Sequence, residues 1–141
     1  MENTNEMTII FDSRSVNEGM ARITAASFCT QLNPTLEEVA DLKTAVSEAV
    51  TNCIIHGYEG EVHKIRMDLR ICGRDLFVDI SDEGIGILDI KKAMEPLYTS
   101  KPEKERSGMG FTFMEAFMDQ VYVESEPGKG TTVHMKKTIR R

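Results

Sequence analysis

Residues 35–57 of the chain read TLEEVADLKTAVSEAVTNCIIHG, and this one segment decides most of the fold. Val39, Leu42, Val46, Ala49, Val50, Cys53 and Ile54 recur at helical spacing and make one apolar face. Thr35 stands where an N-cap is needed, and Glu37 and Glu38 fall in the first turn, where the helix dipole favours acids. Gly57 marks the expected end, just after His56. Glu48, Asn52 and His56 fall at i, i+4 and i+8, so they are expected to stack in a stripe on another face, neighbours about 5–6 Å apart. Such a stripe is first of all a solvated helix face. Read as a site, it pairs a carboxylate able to accept a proton from a hydroxyl with a carboxamide oxygen able to ligate Mg²⁺.

Upstream, Met7–Phe11 reads as a short strand. Ser15–Leu32 reads as a helix, with Val16, Met20, Ile23, Ala26 and Phe28 near helical spacing and Asn33-Pro34 as its stop. Downstream, Ile65, Met67, Leu69 and Ile71 alternate with Arg66, Asp68 and Arg70, the pattern of a half-buried strand. Gly73-Arg74 turns this strand into a second, Leu76–Ile80. A short helix is expected near Leu88–Met94. Pro96–Ser107 is charged, aperiodic and interrupted by Pro96 and Pro102, so it reads as a mobile loop. A helix over Gly108–Met118 follows, then strands Gln120–Ser125 and Thr131–Lys137 joined by Pro127–Gly130. Strands grouped in hairpins and helices grouped together predict one α+β domain over residues 1–141, with a mixed or antiparallel sheet and helices on one face.

The 141 residues include 17 Lys+Arg and 23 Asp+Glu, a net charge of −6, which argues against nucleic-acid binding through a basic face. With 40% hydrophobic residues the chain has the composition of a globular protein that builds its own core. The purely apolar runs, such as Cys53-Ile54-Ile55, are too short to span a membrane, and Glu2 and Glu6 do not suit a secretory leader. Cys29, Cys53 and Cys72 are widely spaced among apolar neighbours and are expected to be buried thiols of a reducing cytoplasm.

Two glycine motifs complete the candidate chemistry. In Asp82-x-Gly84-x-Gly86 the glycines let a flat ligand approach the backbone. Asp82 is an acceptor suited to the amine of adenine and repelled by the carbonyl of guanine. By itself the motif is also an ordinary glycine turn. Ser107-Gly108-Met109-Gly110-Phe111 opens a helix and can cradle an anion, with Lys101, Lys104 and Arg106 just upstream as phosphate partners, or it can be a plain helix start after a solvated loop. Gly128-Lys129-Gly130-Thr131 lacks P-loop spacing, no GxSxG occurs, and His56, His63 and His134 have no metal-ligand spacing with any cysteine. Met109, Met114 and Met118 read as core filler.

The ordered set Glu48-x-x-x-Asn52, Asp82-x-Gly84-x-Gly86 and Gly108-x-Gly110, with a charged loop before the last, resembles the GHKL (Bergerat-fold) ATPase superfamily, whose members include histidine kinases and DNA gyrase. Three stretches are similar to the anti-sigma-factor serine kinases of spore-forming bacteria. They are Val46–Asn52 through Ile55-His56-Gly57-Tyr58, Pro96–Glu103 continuing through Glu105 to Phe111, and Asn17-Glu18 with Ala21–Phe28. The resemblance covers nearly the whole chain and implies a Bergerat α/β sandwich. It further implies Glu48 as general base, Asn52 holding Mg²⁺ against the ATP phosphates, and Asp82 reading the adenine amine. Gly84 and Gly86 would flank the base with Thr132 in support, and Lys101, Arg106, Ser107, Gly108 and Gly110 would close over the phosphates. The implied protein is a cytoplasmic homodimer that binds a sporulation sigma factor and phosphorylates an anti-anti-sigma protein on serine, with Arg22 as the first partner contact. The alternatives are an ATP-gated sigma-factor binding module without phosphotransfer, and the related general-stress anti-sigma kinase.

Overall fold

Thr35 starts the helix around which the other elements pack. In the computed structural model, which describes residues 3–94 and 110–140, Thr35 Oγ1 accepts from the Glu38 N–H at 3.1 Å, and the Thr35 N–H donates to Glu38 Oε1 at 2.9 Å. This closed capping box satisfies two backbone donors that a helix start otherwise leaves orphaned. The other carboxylate oxygen of Glu38, Oε2, accepts the Arg140 N–H at 3.1 Å and so ties the helix start to the end of the chain.

Strand β1 (Thr4–Asp12) leads into helix α1 (Val16–Cys29), whose last turn tightens to a 3₁₀ turn over Thr30–Leu32. Asn33, at φ 51°, then reverses the chain into α2 (Leu36–Asn52). The strands β2 (Lys64–Cys72) and β3 (Asp75–Asp82) form the expected hairpin. A single-turn helix α3 (Ile90–Ala93), α4 (Gly110–Phe117), β4 (Gln120–Glu126) and β5 (Gly130–Thr138) complete the described chain. The sheet order is β1-β2-β3-β5-β4, and every neighbouring pair is antiparallel. Of the two sheet types left open by the sequence, the antiparallel one is found and the mixed one is not. β1 is longer than its apolar stretch because β2 supplies pairing partners from Thr4↔Cys72 to Asp12↔Lys64.

One face of the sheet carries the core. Ile65, Met67, Leu69 and Ile71 of β2, Leu76, Val78 and Ile80 of β3, and Val133 and Met135 of β5 are all buried. They meet Leu42, Ala45, Val46, Ala49 and Val50 of α2, which α1 and α4 flank on either side. Each large side chain here contributes about 1.5–3 kcal/mol by leaving water. Lys137 also points inward, and its Nζ donates to the Phe117 carbonyl at 2.6 Å.

The opposite face is polar. Arg70 lies 4.1 Å over the Phe77 ring, and His134 is held between Asp79 at 2.8 Å and Glu124 at 2.5 Å. Partial burial of His134 opposes its charge, but these two carboxylates outweigh it and raise its pKa. Among the described residues no helix is long and apolar enough to cross a membrane.

Removing the Thr35 hydroxyl breaks the capping box. Thr35→Ala is expected to cost about 1 kcal/mol and lower the melting temperature by about 3–4 °C, whereas Thr35→Ser should retain it; thermal unfolding followed by circular dichroism checks both.

Candidate functional site

The last residues of α2 do not continue as an α-helix. Cys53–Gly57 widen into a π turn, closed by the Tyr58 N–H on the Cys53 carbonyl at 2.9 Å. Glu48 and Asn52 both remain within the α-helix, half-buried and one turn apart, as the sequence predicted. His56 falls in the widened turn, where the backbone no longer follows the 3.6-residue period, and is half-buried like Glu48 and Asn52. Single π turns recur at functional sites because they re-aim the backbone locally. Here the turn brings Gly57 against the end of β3.

That end is Asp82, only 6% exposed. Its Oδ1 accepts the Gly84 N–H at 2.9 Å, and it accepts further hydrogen bonds from the Cys53 thiol and the Thr131 backbone. A β-carbon on Gly57 would sit 2.7 Å from the Asp82 carboxyl carbon, and one on Gly84 would sit 1.9 Å from the Gly57 carbonyl oxygen. No side chain fits at either place. Gly57 O also accepts the Ile85 N–H at 2.9 Å, stitching the π turn to the loop. On its other side the loop is fastened to the β4–β5 hairpin. The Gly128 N–H donates to Ile85 O at 2.7 Å, and the Ile87 N–H donates to Ser125 Oγ at 2.7 Å. Gly86, at φ 78°, makes the bend between these two anchors.

Burial dominates the electrostatics. It pushes the Asp82 carboxyl above its ordinary value, and the bonds from Gly84, Cys53 and Thr131 oppose that shift without cancelling it. Burial, reinforced by the Asp82 charge and hydrogen bond, likewise pushes the Cys53 thiol well up. Tyr58 is buried behind the pair; its hydroxyl accepts the Glu83 N–H at 2.8 Å and donates to the Lys64 carbonyl. A cleft of about 1110 Å³ runs from Ile10 and Val62 to Gly57, Tyr58, Gly84 and Ile85, so it borders this cluster, and neither Glu48 nor Asn52 lines it.

Thr132 is not beside Asp82. In β5 the inward positions are Val133 and Met135, so Thr132 points to the opposite face, where its Oγ1 bonds Ser81 Oγ at 3.0 Å. Thr131 is the register partner of Asp82 and shares its face; its Oγ1 lies 2.8 Å from Ser125 Oγ. Counting alternate positions back from Val133 identifies Thr131, so the sequence held the signal. Cys53 and Gly57 were missed as site residues because nothing in the pattern marks a π turn. Gly110 is buried as the first residue of α4, while Lys101, Arg106, Ser107 and Gly108 lie outside the described residues. Arg22 is on α1, away from this cluster in sequence, with its Nη1 3.3 Å from Glu18 Oε2 and its side chain 42% exposed.

Residues 11–137 match the family described as a histidine kinase-like ATPase domain. The chain is 57% identical over 139 residues to an anti-sigma F factor of Thermoanaerobacter sp. (strain X514), covering 99% of this chain and 97% of that protein. It is 59% identical over 133 residues to an anti-sigma F factor of Clostridium acetobutylicum, with 94% and 93% covered. A solved structure of the RsbU and RsbW domains of Rv1364c from Mycobacterium tuberculosis superposes with a TM-score of 0.66 at 16% identity, over 97% of this chain and 32% of that one, and shares the fold.

The raised pKa of Asp82 has a stability consequence with a definite sign. An acid whose folded value exceeds its unfolded value contributes most below the unfolded value, and that contribution is lost as pH rises through the folded one. Asp82→Asn is therefore expected to melt higher than the wild type at about pH 7.5, with the gap closing toward about pH 4. Paired melting curves across that range check it.

Proposed function

The chain belongs to the anti-sigma F factor family of histidine kinase-like ATPase domains, and on that premise we propose that it is a sigma-factor antagonist that is also a Mg-ATP-dependent protein serine kinase. It sequesters a sporulation sigma factor of the sigma F type from RNA polymerase. It phosphorylates an anti-anti-sigma factor on serine, which stops that antagonist from releasing the sigma factor.

The observation that carries the nucleotide reading is the buried Asp82 carboxylate behind a glycine-walled loop. Such a group tolerates burial only among donors, and the adenine amine is a donor of the right kind, whereas the guanine carbonyl is not. Bound Mg-ATP would supply the transferable phosphoryl group. Among the described residues no three His, Cys, Asp or Glu side chains gather into a metal site, so the fit for magnesium is one carboxamide oxygen, from Asn52, complemented by phosphate oxygens. Glu48, one turn before Asn52, takes the proton from the substrate serine hydroxyl. Lys101 and Arg106 would neutralise phosphate charge, and the backbone amides of Ser107, Gly108 and Gly110 would donate to phosphate oxygens. Phosphoryl transfer is largely positioning and charge neutralisation, and these are the parts it requires.

The partner surface is assigned to α1. Val16, Met20 and Ile23 recur on its outer side at 80%, 63% and 57% exposure, an apolar stripe suited to a protein partner or a second copy in a homodimer. Arg22 is held by Glu18 and is the charged contact. The setting is the cytoplasm, where ATP and RNA polymerase are found, and Cys29, Cys53 and Cys72 form no disulfide.

Two measurements test this reading. Glu48→Gln is expected to bind ATP as the wild type does yet lose phosphotransfer from γ-labelled ATP to an anti-anti-sigma protein by about 10²–10⁴-fold; retained transfer removes Glu48 as base. Asp82→Asn is expected to weaken ATP binding at least several-fold and to erode the preference for ATP over GTP, measured by calorimetric titration. Equal affinity of the wild type for both nucleotides would sink the assignment of Asp82.

A further inference from the structure

Among the described residues, the Asp82 carboxylate takes hydrogen bonds from three separate elements: the Gly84 N–H of its own loop, the Thr131 backbone of β5, and the Cys53 thiol of the π turn. An ionised carboxylate offers about four lone-pair sites, so three donors leave about one for a ligand. The backbone donors are fixed by the loop and the sheet ladder. The thiol is the one that a change of side chain can remove. Cys53 is 3% exposed and Asp82 6%, so water does not readily replace it.

We propose that Cys53 is a specificity-determining positioning residue: its S–H, donated to the Asp82 carboxylate, fixes the carboxyl rotation so that the remaining acceptor site faces the amine of an adenine nucleotide. The inference rests on the reading of Asp82 as the partner of adenine. A thiol suits the place because it fills buried space like a small hydrophobe. As a weak donor it also leaves acceptor strength on the carboxylate for the ligand. The π turn is what brings it there, since Gly57, four residues on, lets the backbone close to within contact of the same carboxyl group. Cys29, by contrast, is fully buried in the core with its thiol pushed up to about 11 by burial, and it has no role in this cluster.

The test is calorimetric titration of the full chain with Mg-ADP and with Mg-IDP, in which a carbonyl replaces the adenine amine. Cys53→Ala is expected to weaken ADP about three- to tenfold and IDP less than about twofold, narrowing the discrimination. Cys53→Ser should restore the wild-type ratio, and Cys29→Ala should leave it untouched. Cys53→Val, which lacks a donor but keeps the bulk, repeats the measurement if the alanine variant is too unstable. In an Asp82→Asn background Cys53→Ala should have no further effect on ADP, because the coupling runs through the carboxylate. An unchanged ADP-to-IDP ratio in both Cys53→Ala and Cys53→Val, or equal losses with and without Asp82, reduces Cys53 to packing and overturns the inference. If Asp82→Asn itself leaves ADP affinity intact, the adenine reading falls first.

Discussion

A carboxylate buried at the end of β3 is the constraint on which the rest of the site depends. Taking Asp82 out of water costs free energy that its hydrogen bonds only partly offset, and the upward shift of its pKa records the remainder. Its neighbourhood can be read as a set of devices for keeping that group in place. Gly57 and Gly84 lack side chains because the carboxyl group and a carbonyl oxygen occupy the space. The π turn carries Cys53 and Gly57 to it, and the β4–β5 hairpin holds the loop from the other side through Ser125 and Gly128. Groups that oppose stability at neutral pH while serving a ligand are expected at functional sites, where the core elsewhere compensates.

Helix α2 does that compensating and also carries Glu48 and Asn52. Its apolar side, Leu42 to Val50, is the centre of the core, and its capping box fixes where its turns begin. The half-buried side, with Glu48 and Asn52, is thereby held at a fixed rotation relative to the sheet and to Asp82 at the end of β3. Packing that sets the phase of one face sets the other, because both belong to one rigid helix. Glu48, Asn52 and Asp82, proposed above as base, magnesium ligand and adenine reader, thus come from two elements locked together by the best-buried part of the molecule.

Much of this was legible in the residues. The alternation of Ile65 to Ile71, the turn at Gly73-Arg74 and the N-cap at Thr35 each rest on local chemistry, and each element formed where that chemistry places it. The Glu48–Asn52 pair survived for the same reason, since both residues precede the point where the helix widens. What the pattern did not show was tertiary. A π turn gains its stability from what it packs against, here the Asp82 loop, and leaves no periodic trace in CIIHG. Cys53 reads as one more buried thiol until the strand end is placed beside it. The choice of Thr132 over Thr131 missed by one position, and in a strand one position exchanges the two faces. β1 extends past its apolar residues because β2 pairs with it along its whole length.

The most direct measurement is a crystal structure of the full chain with Mg-ADP. The exocyclic amine of adenine is expected within about 3 Å of an Asp82 carboxylate oxygen, with the Cys53 sulfur against the same carboxyl group. A base bound with its amine away from the Asp82 carboxylate would contradict the account.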